Sequence, residues 1–214
     1  MKVTSITAQA RNPDRVNVSV DGKYRFSLDI FQLTELGVQI GKAYDESALA
    51  ELENESVYGK LYTKSLEYCM LRPHSSREMR DYLWRKTRPQ KYKSRTGELK
   101  DRAGVPVSIT DRVFDRLVEK GYIDDERFAR WWVESRNQRK GTSLRKLRAE
   151  LQAKGVVSTI IDSIFQESTR NDGEELAKII AKKRLKYVDD QKLIAYLARQ
   201  GFNYDDIKSA LESD

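Results

Sequence analysis

The chain has 214 residues, 39% of them hydrophobic and 34% charged, so it is long enough to bury a core and carries an unusually charged surface. No apolar run approaches the ~18 to 20 residues that span a bilayer, and the opening MKVTSITAQARNPD lacks the apolar stretch of a signal peptide. One cysteine, Cys69, and one histidine, His74, supply neither an internal disulfide nor a Cys/His zinc site, and they exclude most nucleophile and base arrangements. The expectation is a cytoplasmic protein without membrane contact, metal or cofactor.

From Arg15 to Leu28, Val16, Val18 and Val20 alternate with polar residues, and the alternation resumes after Asp21-Gly22 with Tyr24, Phe26 and Leu28. That pattern predicts a hairpin, because Asp-Gly supplies the positive φ angles of a two-residue turn. Val3 and Ile6 suggest an earlier strand, and 29–36 and 45–53 read as short helices.

Beyond Ser56 the apolar period changes from two to about 3.6. Three helix starts, Ser75, Ser143 and Asp189, each precede a leucine by eight residues: Leu83, Leu151 and Leu197. Ser and Asp side chains accept the orphan N–H groups of a first helical turn, and Glu78 suits a capping box with Ser75. Met79, Leu147 and Leu193 fall four before those leucines and give each helix one apolar stripe. Gly155 and Gly201 follow as left-handed stops. A third helix comes next in each case, marked by Ile161 and Phe165, by Ile207 and Leu211, and in the first unit by Val113 and Leu117. Helices over 60–71, 126–138 and 174–185 complete the units.

The sequence therefore predicts a mainly α protein: three tandem three-helix repeats forming an elongated array, preceded by a small N-terminal β-hairpin module. The boundaries are 1–56 for the module and 57–120, 121–168 and 169–214 for the repeats. The first repeat carries an insertion at about 88–106 between its second and third helices.

Charge is uneven along the chain. Residues 57–120 hold 16 Lys/Arg against 8 Asp/Glu, whereas 1–56 hold 6 against 9, so the net +7 originates in the first repeat. Its densest part, Arg85 to Arg102, has eight basic and two acidic residues and almost no aliphatic ones; it reads as a mobile basic loop, with Lys91, Lys93 and Arg95 as candidate phosphate ligands. In the second repeat, Arg127, Arg130, Arg136, Arg139, Lys140, Arg145, Lys146 and Arg148 gather near the first interhelical turn, and Trp131 flanks them, while Trp132 falls on the core side. Arg72, Arg77 and Arg80 extend the stripe if the units stack in register. A solvated helix face and a surface for phosphates or an acidic partner both fit this pattern. No glycine-rich phosphate loop, Gly-x-Ser-x-Gly or metal-ligand run occurs, and Asp124-Asp125, Asp189-Asp190 and Asp205-Asp206 sit at helix starts, where carboxylates cap. The expectation is a binding protein and not an enzyme.

Three strings carry a family likeness: Leu71-Arg72-Pro73-His74-Ser75-Ser76-Arg77-Glu78-Met79, then Leu117 and Gly121-Tyr122-Ile123-Asp124-Asp125-Glu126-Arg127-Phe128-Ala129, then Leu151-Gln152-Ala153-Lys154-Gly155. With Trp132, Val133 and Arg136 they resemble the RecX family of recombinase regulators over about 57–214, and the β module is similar to an extension that some members carry. The resemblance implies a monomer that binds the RecA filament on single-stranded DNA, and double-stranded DNA besides. It also implies modulation, usually inhibition, of strand exchange, ATP hydrolysis and coprotease activity. His74, where the family often has a basic residue, and the basic insertion both depart from the pattern. The alternatives are a sequence-independent DNA-binding repeat protein acting without RecA, and a nuclease using unrecognised carboxylates.

Overall fold

The structure, a computed structural model, describes residues 1–94, 97–136 and 141–212. Strands β1 (Val3–Gln9), β2 (Asn12–Val20) and β3 (Lys23–Asp29) form one antiparallel sheet in that order. Asp21 (φ 48°) and Gly22 (φ 79°) make the expected tight turn, with Val18 paired to Phe26 and Ile6 to Val18. The expected hairpin is thus the larger part of a three-stranded sheet. Asp29 caps the short helix α1 (Ile30–Glu35), accepting from the Gln32 N–H in a reciprocal capping box.

Where two helices were expected at 45–53 and 60–71, a single 26-residue helix, α2 (Glu46–Leu71), runs from the Asp45 cap to Arg72. Its first turns cover the sheet: Leu49 and Leu52 share a core with Val3, Val18, Val20, Phe26, Leu28 and Val38. Arg25 on β3 forms ion pairs with both Glu46 and Glu53. The Ser56 hydroxyl donates to the Ser27 carbonyl at 2.6 Å. Nothing between 54 and 59 breaks the helix, and Gly59 is where the side-chain amide of Gln32 packs closest, within 2.6 Å of where a Cβ would sit.

Helices α3 (Ser76–Thr87) and α4 (Val107–Glu119) complete the first repeat. α2 packs on α4, Tyr68 of α2 stacks on Tyr82 of α3 at 4.5 Å, and Arg80 of α3 covers the Phe114 ring of α4. The segment expected to be a loop is instead an antiparallel ribbon of β4 (Gln90–Lys93) and β5 (Leu99–Arg102), exposed on both faces. Cross-strand hydrogen bonds and the stack of Arg102 on Tyr92, at 5.0 Å, order a segment that has no apolar face to bury.

The second repeat comprises α5 (Asp125–Ser135), α6 (Leu144–Ala153) and α7 (Ser158–Glu167), and the third α8 (Asp172–Lys183), α9 (Asp190–Arg199) and α10 (Tyr204–Glu212). Each has its own core: Phe128, Val133, Leu151, Ile161 and Ile164 in one, Leu176, Ile180, Leu193, Leu197 and Ile207 in the other. The aligned positions Met79, Leu83, Leu147, Leu151, Leu193 and Leu197 are all buried. The chain divides into two compact units, Met1–Arg72 with Arg80–Tyr122, and Pro73–Met79 with Ile123–Asp214. No described helix is long and apolar enough to cross a membrane.

Within the second unit the repeats join by a contact that recurs. Ser75 caps α3 by accepting the Glu78 N–H at 3.1 Å and donates its hydroxyl to the Lys154 carbonyl at 2.8 Å, while the Ser76 N–H donates to Asp125 at 2.7 Å. One repeat later, Ser143 accepts from the Lys146 N–H at 3.1 Å and donates to the Gln200 carbonyl at 2.8 Å, and the Leu144 N–H donates to Asp172 at 2.7 Å. The glycine after each accepting carbonyl is required twice over. Gly155 and Gly201 have positive φ, and a Cβ there would lie 2.8 Å from Arg77 Cβ and 2.4 Å from Ser143 Oγ respectively.

Candidate functional site

In the first unit, cations and exposed aromatic rings share the C-terminal end of α3 and the β4/β5 ribbon. The Met79 and Leu83 stripe of α3 turns inward and leaves Trp84 outside it, 54% exposed. Arg88, four residues on, places its guanidinium 3.8 Å from the Trp84 ring centroid, and Lys86 lies 4.6 Å from that of Tyr82. On the ribbon, strand alternation puts Gln90 and Tyr92 on one face with Lys100 and Arg102, and Lys91 and Lys93 on the other with Leu99 and Asp101. The Val105 N–H bonds the Lys86 carbonyl at 2.9 Å, which ties the returning strand to α3. Among the described residues Arg85, Arg88, Lys91 and Lys93 make no ion pair, and Lys100 reaches only Glu98, at 3.6 Å. The positive field is felt by Lys60 of α2: partial desolvation, then the charges of Arg15, Arg102 and Lys64, lower its pKa below the usual lysine value. Unpaired cations alternating with exposed rings can hold a polyanion whose flat groups stack.

The second repeat distributes its cations differently, because most of them have carboxylate partners. Arg130 bonds Glu167 at 2.6 Å and Glu126 at 3.2 Å, and these contacts raise its pKa. Arg136 pairs with Glu150 at 2.9 Å and lies over the Trp132 ring, whose Nε1 donates to the same carboxylate at 3.0 Å. Arg148 pairs with Asp162, and Lys146 donates to Gln200 Oε1 at 2.6 Å. Arg127 and Arg145 are exposed and make no ion pair among the described residues. Trp131 is half-buried, its ring 6.0 Å from that of Phe128, and belongs to the rim of the core. Arg77 is exposed with its Cβ against Gly155, Arg72 is half-buried at the end of α2, and Arg80 lies on Phe114. Arg95, Arg139 and Lys140 lie outside the described residues.

His74 is buried, with Nδ1 3.1 Å from Glu78 Oε2, while Glu78 Oε1 pairs with Lys154 at 2.7 Å. It belongs to the contact between repeats. At the next contact, Glu175 is only 3% exposed and is held by Arg170 (2.7 Å), Lys178 (2.8 Å) and the Thr142 N–H (3.0 Å). Burial alone would raise the Glu175 pKa; the hydrogen bonds from Lys178, Arg170 and Thr142 outweigh it and hold the carboxyl below its usual range. Arg170 also donates to the Val133 and Arg136 carbonyls.

Sequence reasoning did not single out Trp84, Arg88, Tyr92, Lys100 or Arg102. The available signal was spacing: Trp84 follows Leu83 directly and so leaves the apolar stripe, and Arg88 stands four residues after it on the same face.

Two family profiles match the chain, the Regulatory protein RecX N-terminal domain over residues 1–45 and the RecX second three-helix domain over 124–163. A regulatory protein RecX of Bacillus licheniformis is 29% identical over 217 residues, covering 98% of this chain and 76% of that one. Its counterpart in Bacillus subtilis is 27% identical over 218 residues with the same coverage. A crystal structure of regulatory protein RecX superposes with a TM-score of 0.71 at 21% identity, covering 97% of this chain and 98% of that one. A RecX from Lactobacillus salivarius gives a TM-score of 0.54 at 17% identity, covering 73% and 95%.

Proposed function

We propose, from the premise that the chain belongs to the RecX family of regulatory proteins, that it binds the RecA filament on single-stranded DNA and inhibits its strand exchange, ATP hydrolysis and coprotease activity. The observation that carries this reading is the set of unpaired cations and exposed rings on α3 and the β4/β5 ribbon, which is chemistry suited to a phosphate backbone with accessible bases. Arg127 and Arg145 supply a second cationic contact on the next repeat. A protein that grips both strand and filament stabilises the bound state against the rearrangements of exchange, and it does so without a catalytic residue of its own, because only differential affinity for the two states is needed. The reading keeps the division into a 1–56 module and repeats at 57–120, 121–168 and 169–214. It describes a monomer acting in the cytoplasm with no cofactor.

The test is RecA-driven, single-strand-dependent ATP hydrolysis with increasing amounts of the protein. Inhibition that weakens in the Lys91→Glu, Lys93→Glu variant supports the reading, and a variant as inhibitory as the parent removes the ribbon from it. The second reading, a DNA-binding repeat protein acting without RecA, is favoured by the same basic surface. Salt separates the two: phosphate contacts alone lose affinity linearly with log salt, whereas filament binding keeps a component that salt does not remove.

A further inference from the structure

Between α3 and α4 lies a cleft of about 150 Å3 lined by Arg80, Leu83, Trp84, Thr87, Asp111 and Phe114, among others. Sites that enclose a drug-sized ligand begin near ~300 Å3, so this cleft suits a single planar ring. Leu83, Trp84 and Phe114 give it apolar and aromatic surface. Arg80 and Arg88 sit 3.8 Å from the Phe114 and Trp84 ring centroids, which places positive charge at the same rings. Asp111 does not follow from phosphate binding. It is exposed, its carboxylate makes no hydrogen bond or ion pair among the described residues, and a negative charge there opposes the backbone that the surrounding cations would attract.

An ionised carboxylate only accepts hydrogen bonds, so beside a stacking surface it favours a ring that carries N–H donors and repels one that offers a carbonyl oxygen at the same place. Cytosine presents an exocyclic amino group where uracil and thymine present O4. We propose that this cleft takes one base of a single strand against Trp84, and that Asp111 accepts from its exocyclic amino group, an assignment that rests on the nucleic-acid reading of the first repeat. Asp111 is then a specificity residue: Lys91, Lys93 and Arg88 hold the strand whatever its sequence, and Asp111 makes amino-bearing bases the preferred occupants.

The experiment compares fluorescently labelled oligodeoxycytidine and oligodeoxyuridine, whose bases differ at position 4, amino group against carbonyl oxygen, and at the adjoining N3, acceptor against N–H, by anisotropy at one salt concentration. The parent protein binds oligodeoxycytidine about tenfold more tightly, the scale of one well-placed base contact. Asp111→Asn, whose amide both donates and accepts, brings the ratio close to one, mainly by improving oligodeoxyuridine binding. Trp84→Ala weakens both by about tenfold through lost stacking. Thermal unfolding of each variant near the parent's confirms that the exposed substitutions leave the fold intact. A parent ratio of one, with Lys91→Glu, Lys93→Glu still weakening both strands, overturns base selection and leaves the nucleic-acid surface standing. A preference that survives Asp111→Asn overturns the role of Asp111. If charge reversal on the ribbon changes neither strand's affinity, the surface reading fails and the base site with it.

Discussion

Ser75 and Ser143 occupy the same place in successive repeats, and each gives its hydroxyl at 2.8 Å to a carbonyl that ends the middle helix of the repeat that follows. The same oxygen also accepts from the first turn of its own helix, so one atom serves as cap and as joint. The two roles separate by substitution. Ser143→Asp keeps a capping acceptor and loses the hydrogen given to Gln200, while Ser143→Ala loses both. Urea unfolding should place Ala below the parent by about 1 to 2 kcal/mol and Asp at or below Ala, because its buried carboxylate faces the Gln200 carbonyl with no hydrogen to give. An aspartate as stable as the parent would show that the contact with Gln200 contributes nothing.

Leu151 is fully buried at the aligned core position of the second repeat. Leu151→Ala leaves a cavity and should cost about 2 to 5 kcal/mol in denaturant unfolding. A loss under half a kilocalorie per mole is the outcome that removes it from the core.

Arg170 and Glu175 form a buried pair, 9% and 3% exposed, that also satisfies two carbonyls and the Thr142 N–H. Arg170→Met removes one of the three groups that hold the buried Glu175 carboxylate and takes the guanidinium donor from the Val133 and Arg136 carbonyls, and should destabilise by about 3 to 5 kcal/mol. The pH dependence has a definite sign. Because the folded-state pKa of Glu175 is lowered, its contribution is complete above the unfolded value of about 4.3 and disappears as pH falls through the folded value. Acid unfolding of Glu175→Gln should therefore show a shallower loss of stability below about pH 4 than the parent does; parallel curves would contradict the lowered pKa.

Reversing both Arg145 and Arg148 is a poor probe of binding, since Arg148 already pairs with Asp162 and a glutamate there would face another carboxylate. Arg127→Glu with Arg145→Glu changes only cations that have no ion-pair partner among the described residues. This variant should unfold at the parent's temperature and inhibit RecA-driven ATP hydrolysis less well. Undiminished inhibition by the folded variant would take the second repeat out of the contact surface.

Charge reversal at Lys91 and Lys93 should leave helical circular dichroism unchanged, because the ribbon buries no apolar face, and should flatten the plot of log affinity for single-stranded DNA against log salt by about two units of slope. Loss of the helical signal would show that the ribbon supports the helices around it.

The repeats were legible because burial writes a local period. Leu83, Leu151 and Leu197, the caps at Ser75, Ser143 and Asp189 and the stops at Gly155 and Gly201 all lie within a few turns of one another and follow from single-helix physics. Features that depend on partners distant in sequence were not legible. The close packing of Gln32 on Gly59 joins residues more than 25 positions apart, and the neutralisation of Arg148 relies on Asp162 in the next helix. The β4/β5 ribbon was hidden because both its faces meet solvent, which leaves no alternation of apolar residues to detect. Trp84 stands off the apolar stripe and so has no periodic signal of its own, whereas the fold draws Trp131 into the rim of the second core.

The third repeat carries Asp189 where the other two carry serine. Asp189 caps α9 by accepting from the Gln191 N–H at 2.9 Å, as Ser75 and Ser143 cap their helices, but an ionised carboxylate has no hydrogen to pass to a carbonyl. A fourth unit presented in the same pose, whether from a duplicated segment or a neighbouring molecule, would meet repulsion between two acceptors where its predecessors met a bond. Asp189 therefore keeps the cap and gives up the joint: the hydrogen bond by which Ser75 and Ser143 each hold the next middle helix has no counterpart at the start of α9.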